Sequence, residues 1–185
     1  MPFIAIIVTK FDHPLGDVIE PIRAHPNVAA IRLVRGVDGV MERWGELLTI
    51  TDPTMPVYVQ DDDAVVDVPA VLAAYNPTRM TCNMPADRRR EYRDGIALVG
   101  WGAVFPAALP IHALAKYQQA GMPEDEILRR EADRVVTCLS PLELIDVPFV
   151  SLPQAFAADR MGQEARHGRD LKEIRRRIYA VRGYK

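Results

Sequence analysis

Pro56-Val57-Tyr58-Val59-Gln60-Asp61-Asp62-Asp63 is the stretch on which the fold of this 185-residue chain turns. A short run of β-branched and aromatic residues reads as a buried strand, and three acids directly after it mark where that strand leaves the sheet. In open α/β folds the carboxyl edge of the sheet is where ligands bind. Three like charges there need a counter-ion. Carboxylates one residue apart suit a hard divalent cation, which keeps waters and takes its remaining ligands from substrate phosphates. The competing reading is a solvated acidic turn.

Along the rest of the chain strand-like and helix-like periods alternate, the pattern of a mostly parallel sheet covered by helices. Phe3 to Val8 reads as the first strand, and Thr9-Lys10-Phe11-Asp12-His13 as the loop at its carboxyl end. A helix over about Leu15 to His25 follows, limited by Pro21, then a strand from Val28 to Val34. Val40, Trp44, Leu47 and Leu48 fall at helical spacing with Arg43 on another face. Beyond the triplet, Pro69 opens a short helix through Val71, Leu72 and Tyr75, and Arg79 to Met84 reads as a strand. The charged stretch Asp87 to Asp94 reads as an exposed loop, Ile96 to Phe105 as an apolar run, and Ala107 to Gln119 as a helix ending at Gly121. Pro123-Glu124-Asp125 starts a helix toward Leu139, and Ile145 to Val150 reads as a late strand. Leu171, Ile174, Ile178 and Val181 give one apolar face to a basic carboxyl-terminal helix at about 169–182.

With 49% hydrophobic residues and a formal net charge of −2, the composition is that of an ordinary globular chain of one domain. It carries no uniformly basic coat. Cys82 and Cys138 make no metal spacing and read as buried thiols. The apolar amino end stops at Thr9-Lys10 without a basic leader or small-residue cleavage site, so it reads as a strand rather than a signal peptide. No segment approaches the roughly 18 apolar residues of a membrane helix, and a cytoplasmic location is expected.

The order Arg43, the strand with Asp61-Asp62-Asp63, the run Leu98-Val99-Gly100-Trp101-Gly102-Ala103-Val104-Phe105, the patch Glu131-Ala132-Asp133 and a late His167 resembles the GT-A class of nucleotide-sugar-dependent glycosyltransferases. It is most similar to the small exostosin-type transferase domain. The resemblance implies a Rossmann-like GT-A fold, with Asp61 and Asp62 toward the donor, and Asp61 and Asp63 on Mn2+ or Mg2+. The ion would stabilise charge developing on a departing diphosphate as a Lewis acid.

The resemblance also implies an acid near position 133 that either deprotonates the acceptor hydroxyl or supports a cationic transition state. Glu131 and Asp133 point in different directions on a helix, so one of them faces the site. Asp133 is the choice, against a reading in which both bridge to Arg129, Arg130 and Arg134 on the helix surface. Arg43 is expected to contact the donor or to cap a solvated helical face. His167 would complete the metal shell or contact the diphosphate, or is a surface histidine, with Arg166 and Arg169 neutralising phosphate oxygens. Gly100 and Gly102 would let the backbone approach an acceptor while Trp101 offers a flat face to it, with core packing as the alternative for the indole. Thr9 and Asp12 would meet the donor base.

From Arg160 onward, nine lysines and arginines against three acids give a formal charge of +6. Such a tail attracts polyanions, and a DNA acceptor carrying hydroxymethylated bases is one expectation. A solvated helix face is the bland one. Three other functions compete with glycosyl transfer. A sugar-phosphate nucleotidyltransferase should carry a glycine-rich loop after the first strand, where Thr9 to His13 has none. A phosphoacceptor domain should place acids after two strands, and a non-catalytic polyanion-binding module would use the tail alone.

Overall fold

The computed structural model describes residues 1–9, 14–36, 40–86, 95–152 and 160–183, with side chains from Gly168 onward in the last of these segments. β1 (Phe3–Thr9) is the second strand of a six-stranded sheet. It pairs in parallel with β2 (Val28–Arg35) on one side and β3 (Pro56–Asp61) on the other. β6 (Ala103–Pro106) is antiparallel to both β3 and β5 (Met80–Asn83), and β7 (Leu142–Ile145) closes the far edge parallel to β5. The order is therefore β2-β1-β3-β6-β5-β7. This is a mixed α/β, Rossmann-like architecture with a mostly parallel sheet. A second sheet pairs β4 (Ala64–Val66) with β8 (Phe149–Ser151), antiparallel.

Helices cover both faces because the strands are apolar on both sides. On one face Ile6, Val57 and Val59 pack with residues of α2 (Met41–Leu47), α4 (Ala108–Gln119), α5 (Glu126–Leu139) and α6 (Arg160–Arg182). On the other, Phe3, Ala5, Ile7 and Tyr58 pack with α1 (Gly16–Arg23), α3 (Val68–Ala73) and the small sheet. The alternation along β1 and β3 is the period of a strand. Local chemistry sets several boundaries. Asp67 caps α3 by accepting from the Ala70 N–H at 3.1 Å, so that helix starts one residue before Pro69. Asp125 caps α5 by accepting from the Leu128 N–H at 3.0 Å, as acids suited to helix starts do. Gly121 follows α4 at φ 72°.

One stretch resolves what the sequence left as an apolar run, and one differs from its reading. Of Ile96 to Phe105 only the end is strand, and Ile96 to Gly102 is buried irregular chain whose backbone bonds go elsewhere. The Asp61 N–H donates to Gly100 O (2.9 Å) and the Gly102 N–H to Val99 O (3.2 Å). The expected late strand over Ile145 to Val150 is two short strands in different sheets. Pro148, which has no N–H to give a ladder, lies between them, and Asn83 clamps the chain there by bonding Val147 N (2.8 Å) and Val147 O (3.1 Å). β4 was not expected, since three residues give too short a period to read. Among the described residues no helix is long and apolar enough to cross a membrane. The charged stretch Asp87 to Asp94 lies outside the described residues.

Candidate functional site

The site follows from the parity of β3. Val57 and Val59 point toward α2 and α5, so the next residue of that parity, Asp61, emerges on the same face at the carboxyl end of the strand. Val8 of β1 lies beside it in register, and the Asp62 N–H donates to Val8 O at 3.1 Å. The acids thus sit at the carboxyl edges of two adjacent parallel strands.

Arg43 reaches this edge from α2. It is fully buried, contrary to a solvated helical face, because α2 is apolar on the side of Trp44 and Leu47 and turns Arg43 inward beside them. Its Nη2 donates to Asp61 Oδ1 at 2.6 Å, and its Nε lies 3.5 Å from Asp133 Oδ1. The approach to Asp133 is an ion pair only, since Nε and Nη1 both have no hydrogen-bond partner among the described residues. Burial alone would push the guanidinium down, but Asp133, Asp61 and Asp63 outweigh it and hold Arg43 above its ordinary value. Three carboxylates around one guanidinium leave an excess of negative charge when all are ionised.

Asp133 closes the group from α5. Trp44 Nε1 donates to its Oδ1 at 3.1 Å, and 15% of its side chain remains exposed. Desolvation pushes this carboxyl up to about 6. Arg43 opposes the rise, Asp61 adds to it, and Arg134 and Trp44 oppose it. Glu131 points elsewhere and is buried against Arg134, one helical turn on. Asp133 therefore pairs across elements, with Arg43, while Glu131 makes the helix-internal ion pair.

Gly100 completes the geometry in a way the sequence did not suggest. A Cβ there would lie 2.0 Å from Asp61 Oδ2. The glycine thus makes room for the Asp61 carboxylate itself. Gly102 has φ 96°, and a Cβ on it would press on Val66 and Tyr58. Trp101 stacks on Phe149 with ring centres 4.7 Å apart and packs beside the core under the small sheet.

Thr9 is buried at the end of β1, and its carbonyl accepts from the Gly36 N–H at 3.1 Å. Asp62 and Asp63 are half-buried in the turn between β3 and β4, rather than fully solvent-facing. Arg169 is exposed on α6. Asp12 and the side chains of Arg166 and His167 lie outside the described residues. Among the described residues no cluster of three or more His, Cys, Asp or Glu side chains is grouped for a metal ion. Trp44 is the residue that sequence reasoning missed. A buried indole N–H needs an acceptor, which was the available signal, but its helical spacing spoke only of core.

No protein-family model matches the chain, and no curated protein matches it. By architecture, the chain is similar to solved Rossmann-like structures. One is the crystal structure of 4-diphosphocytidyl-2C-methyl-D-erythritol synthase from Anaerococcus prevotii, at 12% identity and TM-score 0.47, covering 80% of this chain and 88% of that one. That enzyme is of the nucleotidyltransferase class, the alternative the sequence left open. At that identity and TM-score the likeness assigns no activity.

Proposed function

We propose that this chain is a metal-dependent GT-A glycosyltransferase that moves a sugar from a nucleotide-sugar donor to an acceptor hydroxyl. The observation that carries the reading is the buried Arg43 joined to Asp61 at the strand edge and to Asp133 on α5. It brings together three residues assigned to the donor, the metal and the acceptor. Asp61 and Asp63 would hold Mn2+ or Mg2+, which when bound supplies Lewis-acid stabilisation to a leaving diphosphate.

Asp133 favours glycosyl over nucleotidyl transfer. A hydroxyl acceptor must lose a proton as it attacks, whereas a sugar phosphate is already an ionised nucleophile at neutral pH. A carboxyl pushed up to about 6 is matched to that proton transfer. The absence of glycine from Thr9 to His13 points the same way. The acceptor we favour is a hydroxyl-bearing polyanion such as hydroxymethylated DNA, which Arg169 and Lys172, both exposed on α6, would meet.

The test incubates the full chain with UDP-, GDP- and CDP-sugars, with Mn2+ or with chelator, and with duplex DNA carrying hydroxymethylated pyrimidines. Mass spectrometry of the nucleosides reads the outcome. Metal-dependent addition of one sugar residue supports the proposal. Pyrophosphate release from a nucleoside triphosphate and a sugar 1-phosphate, without sugar transfer, would replace it with nucleotidyl transfer. Transfer to small hydroxylated acceptors but not to DNA would keep the reaction and discard the polyanion.

A further inference from the structure

The two oxygens of Asp133 are not equivalent. Oδ1 receives the Trp44 indole N–H at 3.1 Å and lies 3.5 Å from Arg43 Nε. The bonds made to this carboxylate by described residues all end on Oδ1, and the side chain is 15% open to solvent. Trp44 itself has little freedom. It is 2% exposed, its ring lies 5.8 Å from Phe105 with a 44° tilt, and the Arg43 guanidinium carbon stands 5.9 Å from its centre. A rigid aromatic donor thus holds one oxygen of the acid and leaves the other unengaged by it.

We propose that Trp44 is a positioning residue, which with Arg43 ties down Asp133 Oδ1 so that Oδ2 is the oxygen presented to the acceptor hydroxyl. This rests on the transferase reading above. In the step it serves, the acceptor O–H bond breaks and its proton passes to Asp133 Oδ2. The acceptor oxygen forms a bond to the anomeric carbon, and the bond from that carbon to the diphosphate oxygen breaks with its electron pair leaving on the diphosphate.

A bond from a neutral N–H to the ionised acid also favours the ionised form, so Trp44 acts on the proton affinity of Asp133 as well as on its direction. The other groups that act on Asp133 are Arg43 from α2, Asp61 at the end of β3, Arg134 on its own helix and the Cys82 thiol on β5. Trp44→Phe removes the N–H and keeps an aromatic ring in the core. Replacing Trp44 by benzothienylalanine, in which sulfur stands for the N–H, removes the donor at nearly constant shape and separates the hydrogen bond from packing.

Both variants are to be compared with wild type for kcat, KM and the pH dependence of transfer. Carboxyl-13C aspartate NMR, with the Asp133 signal assigned by its loss in Asp133→Asn, follows the acid directly. Expected in both variants are a kcat lower by about tenfold or more, a donor KM within about twofold, and an acid limb moved to higher pH. The Asp133 carbon signal should titrate higher by about half a pH unit or more. A folded benzothienylalanine variant with unchanged kcat and pH profile overturns the proposal. Wild type that transfers no sugar from any donor overturns the transferase reading instead. The contact is then judged by NMR alone, where an unmoved Asp133 titration overturns it and an upward shift upholds it.

Discussion

Replacing Gly100 by alanine tests whether the site is built around the Asp61 carboxylate. The added methyl group would lie 2.0 Å from Asp61 Oδ2 and 2.5 Å from its Cγ, distances at which no attractive contact survives. Gly100 is not among the glycines with positive φ, so alanine brings no backbone strain, and the whole cost falls on Asp61. Its side chain is short and relieves the clash only by swinging about χ1, which takes Oδ1 away from Arg43 Nη2 at 2.6 Å. Breaking a buried ion pair costs about 3–5 kcal/mol. Arg43 is fully buried but keeps Asp133, and Asp61 is one-third exposed, so a loss of about 2 kcal/mol is expected. In an Asp61→Ala background the carboxylate is gone and only the Cβ of residue 61 stays close, at 3.2 Å. There Gly100→Ala should cost less than about 0.5 kcal/mol, helped by the reduced freedom of the unfolded chain. Urea titrations of wild type, both single variants and the double variant close the cycle, with an expected coupling of about 1.5–2 kcal/mol. Equal costs of Gly100→Ala in the two backgrounds would refute the placement of the carboxylate over Gly100.

Asp133→Asn should abolish transfer and also change the pH dependence of stability. The folded-state carboxyl titrates near 6, above its ordinary value of about 3.9, so the folded state holds the proton longer and stability falls as pH rises between about 4 and 6. Wild type should lose up to about 3 kcal/mol relative to Asp133→Asn across that window; parallel denaturation midpoints for the two proteins from pH 4 to 7 would contradict it. Arg177 is 8% exposed and holds Asp125 at 3.0 and 2.8 Å, Glu173 at 2.8 Å and Tyr117 at 3.3 Å. Arg177→Met should therefore cost about 3 kcal/mol and raise amide exchange across α6. Hydrogen bonds from Arg177 hold Asp125 below its ordinary value, and those from Arg176 and Arg177 hold Glu173 down at about 2. Their contribution is present above the ordinary carboxyl values and lost as pH falls from there toward about 2, so α6 should loosen first on acidification, which exchange mapping at pH 3 and 6 would show. Neutralising Arg169 and Lys172 together should weaken binding to duplex DNA and lower the salt slope by about 2, with fluorescence anisotropy over a salt series as the readout and an unchanged slope as the contrary result.

The sheet was legible because its strands are short, apolar and separated by helical periods. Phe3 to Val8, Val28 to Val34 and Pro56 to Val59 all lie within observed strands. The residues from Ile96 to Gly102 were not, since an apolar run reads alike whether it pairs in a ladder or fills the core as irregular chain. Their backbone is satisfied by Asp61 and by local turns, partners that hydrophobicity does not encode. The basic tail shows the limit of charge counting. Arg177 is buried on Asp125, Arg176 pairs with Glu173, Asp170 pairs with Arg130, and Arg182 donates to the Cys138 carbonyl. Much of the formal charge therefore fastens α6 to the body of the protein, while Arg169 and Lys172 stay exposed on it.

At the site the same limit appears in reverse. The sequence left Arg43 between a donor contact and a solvated helical face, because a helix of apolar spacing was expected to bury one stripe. Burying a guanidinium is expensive unless its hydrogen bonds and charge are met, and the two acids that meet it come from positions 61 and 133, far apart in the chain. Strand parity alone determines that Asp61, and not Asp62, turns toward α2, and helix direction alone determines that Asp133, and not Glu131, turns toward β3. The buried cation is thus the point where two independent periodicities, of 2 and of 3.6 residues, have to agree. A one-residue slip in either element would leave Arg43 buried with one partner or none, a cost of about 3–5 kcal/mol that ties the register of the fold to the integrity of the site.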